Sequence, residues 1–174
     1  VGSSCTTHAG AAGAVQLSVG DDDVVVIRCA AAGGPPPSGT PRLAINEVDY
    51  DQVGADTAGF VEIANAGDRE ASLDGIAVVL VNGGDGTEYA RKALSGTLAA
   101  GAYLVVEVDP QNGAPDGIAL VDTVSGVLLD ALSYEGEVRG AVVGSATFDL
   151  VEGTALPEAT ADSNTDNGSL ARLP

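Results

Sequence analysis

Hydrophobic and polar residues alternate along most of this chain with period two. From residue 43 onward seven runs carry the pattern: Leu43–Asp49, Phe60–Asn65, 76–81, Thr87–Ala93, 103–108, 118–122 and Val127–Tyr134. Alternation at that period marks strands with one buried face. The separators Asn82-Gly-Gly-Asp-Gly86, Ala99-Ala-Gly101, Asp109-Pro-Gln-Asn-Gly113 and Ser125-Gly126 are turn sequences. Short strands at near-regular spacing with such punctuation predict a β-sandwich over residues 43–174. Two weaker strands are expected near Ala141–Val143 and 147–151, before a polar tail that closes on Leu170-Ala-Arg-Leu-Pro174.

Residues 1–30 read as a separate unit. Residues 14–19 alternate, Gly20-Asp-Asp-Asp23 turns, and Val24-Val-Val-Ile-Arg-Cys29 is apolar on both faces. That is a β-hairpin arm, and an isolated hairpin is marginal in water. Val24, Val25, Val26 and Ile27 therefore need cover on each side, from the main domain or from another copy of the chain. Residues 31–42 form a linker around Gly33-Gly-Pro-Pro-Pro37, where the prolines favour an extended polyproline spacer.

Composition narrows the picture. Hydrophobic residues reach 45% but aromatics only 3%, so the core is built from Val, Leu, Ile and Ala. With 24 Gly and 8 Pro, no apolar run at helical period survives, and the fold is all-β. Seven basic residues against 25 acidic ones give a formal charge of −18. Such a surface repels phosphate backbones and anionic head groups, which disfavours nucleic acid and membranes as partners. Its acidity serves solubility, suits a saline habitat, or draws Ca²⁺ to particular clusters.

Cys5 and Cys29 are the only cysteines and match no zinc or redox spacing. They sit at the two ends of the expected hairpin. A disulfide is the favoured reading, which implies an oxidising compartment and about 3.5 kcal/mol of stabilisation in the chain-entropy model. The alternative is a pair of buried free thiols. The chain starts at Val1 without a charged-then-apolar leader, as expected of a mature secreted chain.

The order of several fragments adds a resemblance. Ile45-Asn-Glu-Val48, Phe60-Val-Glu-Ile63, Asn65-Ala-Gly67, Leu73-Asp-Gly75, Leu98-Ala-Ala-Gly-Ala-Tyr-Leu-Val-Val106, Ile118-Ala-Leu-Val-Asp122, Leu129-Asp-Ala-Leu-Ser-Tyr-Glu-Gly136 and Gly168-Ser-Leu-Ala-Arg-Leu-Pro174 together resemble the lamin-tail domain family, of the kind found in secreted bacterial proteins. The resemblance implies an immunoglobulin-like sandwich. Each fragment also has a physical reading: Phe60, Ile63, Leu73 and Ile76 supply core, while Gly67 and Gly75 permit the positive φ of tight turns. Two positions depart from the family pattern. Gly59 stands where an acidic residue is common, and the Asn-Pro-Gly turn is Asn65-Ala-Gly67.

Candidate chemistry is sparse. Glu47, Asp49, Asp51, Asp56 and Glu62 place hard oxygen ligands at alternating positions, and Gly54 nearby allows a sharp turn. Such a set could coordinate Ca²⁺, although the spacing is not that of an EF-hand. Ca²⁺ is thus the one cofactor in view. An ordinary Asp-rich loop is the plainer alternative. His8 is the lone histidine and has no nucleophile elbow to serve, because Gly-x-Ser-x-Gly does not occur. No catalytic residues are assigned.

A non-enzymatic, secreted structural or interaction protein follows, self-associating through strand addition by the Val24–Ile27 segment into a fibre or surface layer. The alternative is an anchoring or targeting module of a larger secreted hydrolase, adhesive in a Ca²⁺-dependent way.

Overall fold

A computed structural model describes the backbone of residues 4–6, 12–19 and 25–31, and whole residues over 40–55, 57–151, 156, 160–165 and 167–172. His8, the turn at 21–23, Val24, the centre of the linker and Asp56 lie outside the described residues. The chain divides into two compact units, Val1–Ser38 and Gly39–Pro174. Among the described residues every regular element is a strand.

The first unit holds β1 (Ser4–Thr6), β2 (Ala12–Val19) and β3 (Val25–Ala31), antiparallel in the order β1-β2-β3. The expected two-stranded hairpin is thus a three-stranded sheet. Cys5 stands opposite Gly13 and Cys29 opposite Val15, so β2 runs between the cysteines.

The second unit holds β4 (Leu43–Asp49), β5 (Phe60–Asn65), β6 (Ala71–Ser72), β7 (Ile76–Asn82), β8 (Thr87–Ala93), β9 (Thr97–Leu98), β10 (Tyr103–Glu107), β11 (Asp116–Asp122), β12 (Val127–Tyr134), β13 (Ala141–Val143), β14 (Ala146–Phe148) and β15 (Leu170–Ala171). A four-stranded sheet in the order β10-β5-β4-β15 packs against a six-stranded sheet in the order β12-β11-β7-β8-β13-β14. A two-stranded ribbon, β6-β9, completes the arrangement. The alternating runs all become strands. The ribbon and β15 were not anticipated, because two-residue strands have no period to detect.

One core lies between the sheets. Ile45, Val48, Val61 and Ile63 project from the four-stranded side and meet Val78, Leu80, Ile118 and Leu120 from the other. Each fully buried aliphatic of this kind stabilises by about 2 kcal/mol. Strand β7 is apolar at every position but Asn82, β11 is apolar over 118–121, and both faces of each are buried. The far face carries Ala77, Val79, Val81, Ala119 and Val121, under Val138, Ala141, Val143 and Leu150. The segment after β12 therefore folds over the back of the six-stranded sheet as a second cover.

Two expectations are corrected here. Phe60 is not core. With Val61 and Ile63 facing inward, alternation turns Phe60 to the outer face, where it is half-buried opposite Asp49 and Glu107. Gly75 does adopt positive φ, at 82°. Gly67 is instead required by close approach, since a Cβ there would lie 2.2 Å from the Thr40 carbonyl oxygen. The departure at 59 has a similar cause: a Cβ would lie 2.8 Å from Pro110 and 3.1 Å from two backbone oxygens.

Polar groups lock the ends of the sandwich. Asn65 is fully buried. Its Nδ2 donates to the Arg69 and Leu98 carbonyls, and its Oδ1 accepts from the Arg42 and Gly67 amides. Tyr50, just after β4, and Tyr134, the last residue of β12, stack with ring centroids 4.1 Å apart, worth about 1 kcal/mol beyond their burial. The Tyr50 hydroxyl accepts from the Asp162 amide at 2.7 Å, and the Asp162 carboxylate accepts from the Tyr50 amide at 3.0 Å.

Burial raises the phenol pKa of Tyr50 and Tyr134, and pushes that of Tyr89 up to about 12. Phenols ionise near pH 10 in an unfolded chain, at about their reference value. Their contribution to stability is therefore fully present below about pH 10 and is lost as pH climbs through the raised values. Urea titrations should show constant stability from pH 8 to about 10, then a steep fall. A profile that stays flat above pH 10 would refute the burial of these hydroxyls.

Candidate interaction surface

Period-two geometry assembles the outer face of the four-stranded sheet. Tyr103, Ala64 and Ala44 form one cross-strand row, Val105, Glu62 and Glu47 a second, and Glu107, Phe60 and Asp49 a third. The ladder slips between Ile45 and Glu47, which leaves Asn46 as a bulge. That extra residue resets the alternation, so Val48 returns to the core and Glu47 and Asp49 stay outside.

Three of the acidic residues picked out in the sequence, Glu47, Asp49 and Glu62, therefore share one face, and Glu107 joins them. Glu107 carries no local signal for this face, because four strands separate β10 from β5 along the chain. Glu47 and Glu62 are directly opposed, a repulsive pairing softened by local donors. The Asn46 amide donates to Glu62 at 2.8 Å, and the Ser169 hydroxyl donates to Glu47. Asp49 accepts from the Gln52 amide at 2.6 Å. Asp51 departs from the group: its oxygens accept from the Asn164 backbone amide at 3.1 Å and the Asn112 side chain at 3.4 Å. Among the described residues no three His, Cys, Asp or Glu side chains gather around a common point.

Basic groups occupy the opposite end of the same face. Arg42 and Arg172, with Ala44, Glu62, Ala64 and Tyr103, line a shallow groove of about 710 Å³. Arg172 also clasps the sheets together. Its guanidinium meets Asp130 on β12 at 2.9 Å, and the same carboxylate accepts the Ile45 amide at 2.6 Å, beside the bulge in β4. Asp130 is only 5% exposed, so its charge is compensated by fixed donors rather than by water.

At the other margin β10 pairs, among the described residues, with β5 alone. Tyr103 and Val105 on this open edge are 60% and 54% exposed. An unpaired edge with exposed apolar side chains is a template for another strand. The family comparison agrees with this architecture. The model of the lamin tail domain matches residues 36–136, more than half of the chain. This chain belongs to the lamin tail domain family. No curated protein and no solved structure matches it. Lamin tail domains are immunoglobulin-like and generally non-catalytic, and they often serve protein interaction or structure.

In this lamin tail domain the matched segment stops at residue 136, so β13, β14 and β15 lie beyond it. The clasp reaches past that limit through Arg172. Asp130→Ala should lower stability by about 3 kcal/mol in urea denaturation, because the Ile45 amide and a half-buried guanidinium both lose their acceptor. Arg172→Met should cost clearly less, since its side chain is 44% exposed. Equal costs would mean that the carboxylate acts only as a partner for the arginine.

Proposed function

We propose that this lamin tail domain is a non-enzymatic, secreted structural or interaction protein that assembles with copies of itself by strand addition. The open edge of β10 carries the reading, with Tyr103 and Val105 exposed along it. In the first unit β3 pairs only with β2 among the described residues. The edge of β3, including Val25, Val26 and Ile27, is the strand offered to β10 of the next copy. Main-chain hydrogen bonds would supply the affinity, and alternate side chains the specificity.

Donor and acceptor edges differ, so the contact is head to tail and propagates into a fibre or layer rather than closing as a dimer. Charge supports the same arrangement. On a chain of net charge −18, Arg42 and Arg172 gather at one end of the outer face, opposite the end that carries Asp49 and Glu107. Juxtaposed copies can set unlike ends together, and the surplus of carboxylates keeps nucleic acid and lipid surfaces away.

Sedimentation and electron microscopy of the full chain at rising concentration should reveal filaments or extended oligomers. Val105→Lys and, separately, Val26→Lys should each return the chain to monomer, because a lysine at a strand edge blocks pairing. A wild-type chain that stays monomeric at high concentration would sink self-assembly. The accessory module of a larger secreted hydrolase would then be the better reading.

The strand order disfavours the expected Cys5–Cys29 disulfide: the two residues flank β2 from opposite sides, about 10 Å apart across two strand spacings, beyond the roughly 7 Å that a disulfide spans between Cα atoms. Intact mass measured with and without reductant should therefore be the same, and a difference of one bond would mean that β1 pairs differently.

A further inference from the structure

A second feature lies away from the outer face. Between the turn that joins β7 to β8 and the loop leading into β11 sits a cavity of about 490 Å³. Oxygen-bearing side chains dominate its wall: Asn82, Asp109, Gln111, Asn112 and Asp116. No basic side chain lines it, and the whole chain carries −18.

Asp116 opens β11 and is 3% exposed. Its Oδ1 accepts the Gly83 amide at 3.0 Å. Its Oδ2 is buried beside Gly113, another residue of the cavity wall, with no hydrogen-bond partner. The Gly113 amide lies on that side and eases the charge without closing an aligned bond. A buried carboxylate oxygen left unpaired is costly, and Asp116 belongs to a wall already rich in acceptors.

The surroundings hold the wall in place. The Tyr134 hydroxyl donates to the Gln111 carbonyl at 2.6 Å, and the Gln111 amide donates to the Tyr89 hydroxyl at 2.8 Å. Gly83 lets turn and loop meet, since a Cβ there would lie 2.1 Å from the Pro115 carbonyl oxygen. A site with two carboxylates, three side-chain amides and no cation calls for a positive guest. A proton on Oδ2 would answer one oxygen and leave the others without a common partner.

We infer that this cavity is a hard-cation site for Ca²⁺, in which Asp116 and Asp109 supply charge and the amide oxygens of Asn82, Gln111 and Asn112 complete the shell with water. All-oxygen ligands of mixed charge on an irregular loop suit Ca²⁺ better than Mg²⁺, which demands a small octahedral shell.

Isothermal titration calorimetry of the full chain, stripped with EDTA and titrated with CaCl₂, tests this directly. Tb³⁺ luminescence sensitised by Tyr89 and Tyr134 gives a second readout at the site. One saturable site per chain is expected, weakened about tenfold or more by Asp116→Asn and by Asp109→Asn. Asp49→Asn combined with Glu62→Gln, on the outer face of the four-stranded sheet, should leave it unchanged. Asp109 is exposed, so Asp109→Asn keeps the test decisive if Asp116→Asn fails to fold. Absent or non-saturable binding, or binding equal in both single variants and wild type, overturns the inference. Loss only in the Asp49 and Glu62 variant would overturn it too, and would move Ca²⁺ to the outer face of the four-stranded sheet.

Discussion

Strands β7 and β11 lie side by side, and neither has a face that water can wet. Ile76–Asn82 and Asp116–Asp122 are buried at nearly every position, so the sheet they form needs a cover above and below. The four-stranded sheet supplies one cover and brings Ile45, Val48, Val61 and Ile63 to it. The segment that follows β12 supplies the other through Val138, Ala141, Val143 and Leu150. Within the second unit these two covers keep the pair dry on both sides, at about 25 cal/mol for each Å² removed from water.

Covering a sheet leaves backbone groups at its margins, and this chain answers them with short polar side chains. Asp130 receives the Ile45 amide at the bulge in β4, Asp162 receives the Tyr50 amide where β4 ends, and Asn65 closes the turn after β5. Part of the large negative charge is therefore architectural: several carboxylates stand in for strand partners the ladder cannot provide. Another group, Glu47, Asp49, Glu62 and Glu107, lies on the outer face of the four-stranded sheet. There, acids at one end and arginines at the other give the surface a direction that a self-assembling module can use.

The open edge of β10 and the pocket at Asp116 follow from the same economy of strands. β10 is the last strand of its sheet, and nothing among the described residues pairs with its outer side. Asp116 begins a strand pressed between Asn82 and Tyr134. Its carboxylate is drawn inside with one oxygen answered and one not. Both features are places where the fold has spent its partners, and both therefore offer themselves to something outside the chain.

Local pattern alone determined the all-β class, the seven main strands and the turns between them, because a pleated strand writes its period directly into the order of residues. It also carried the family, through fragments such as Leu129-Asp-Ala-Leu-Ser-Tyr-Glu-Gly136 whose order survives. Pattern misplaced Phe60, since a large apolar residue looks like core until the register of its neighbours turns it outward. It grouped Glu47, Asp49 and Glu62 for the right face but took Asp51 with them and missed Glu107. Asp116 and Asp130 had no distinguishing signature among 25 acidic residues. Only tertiary structure decided which carboxylates are buried, which edge stays open and which strand is covered twice. Those outcomes depend on contacts between residues far apart in the chain, and local periodicity holds no record of them.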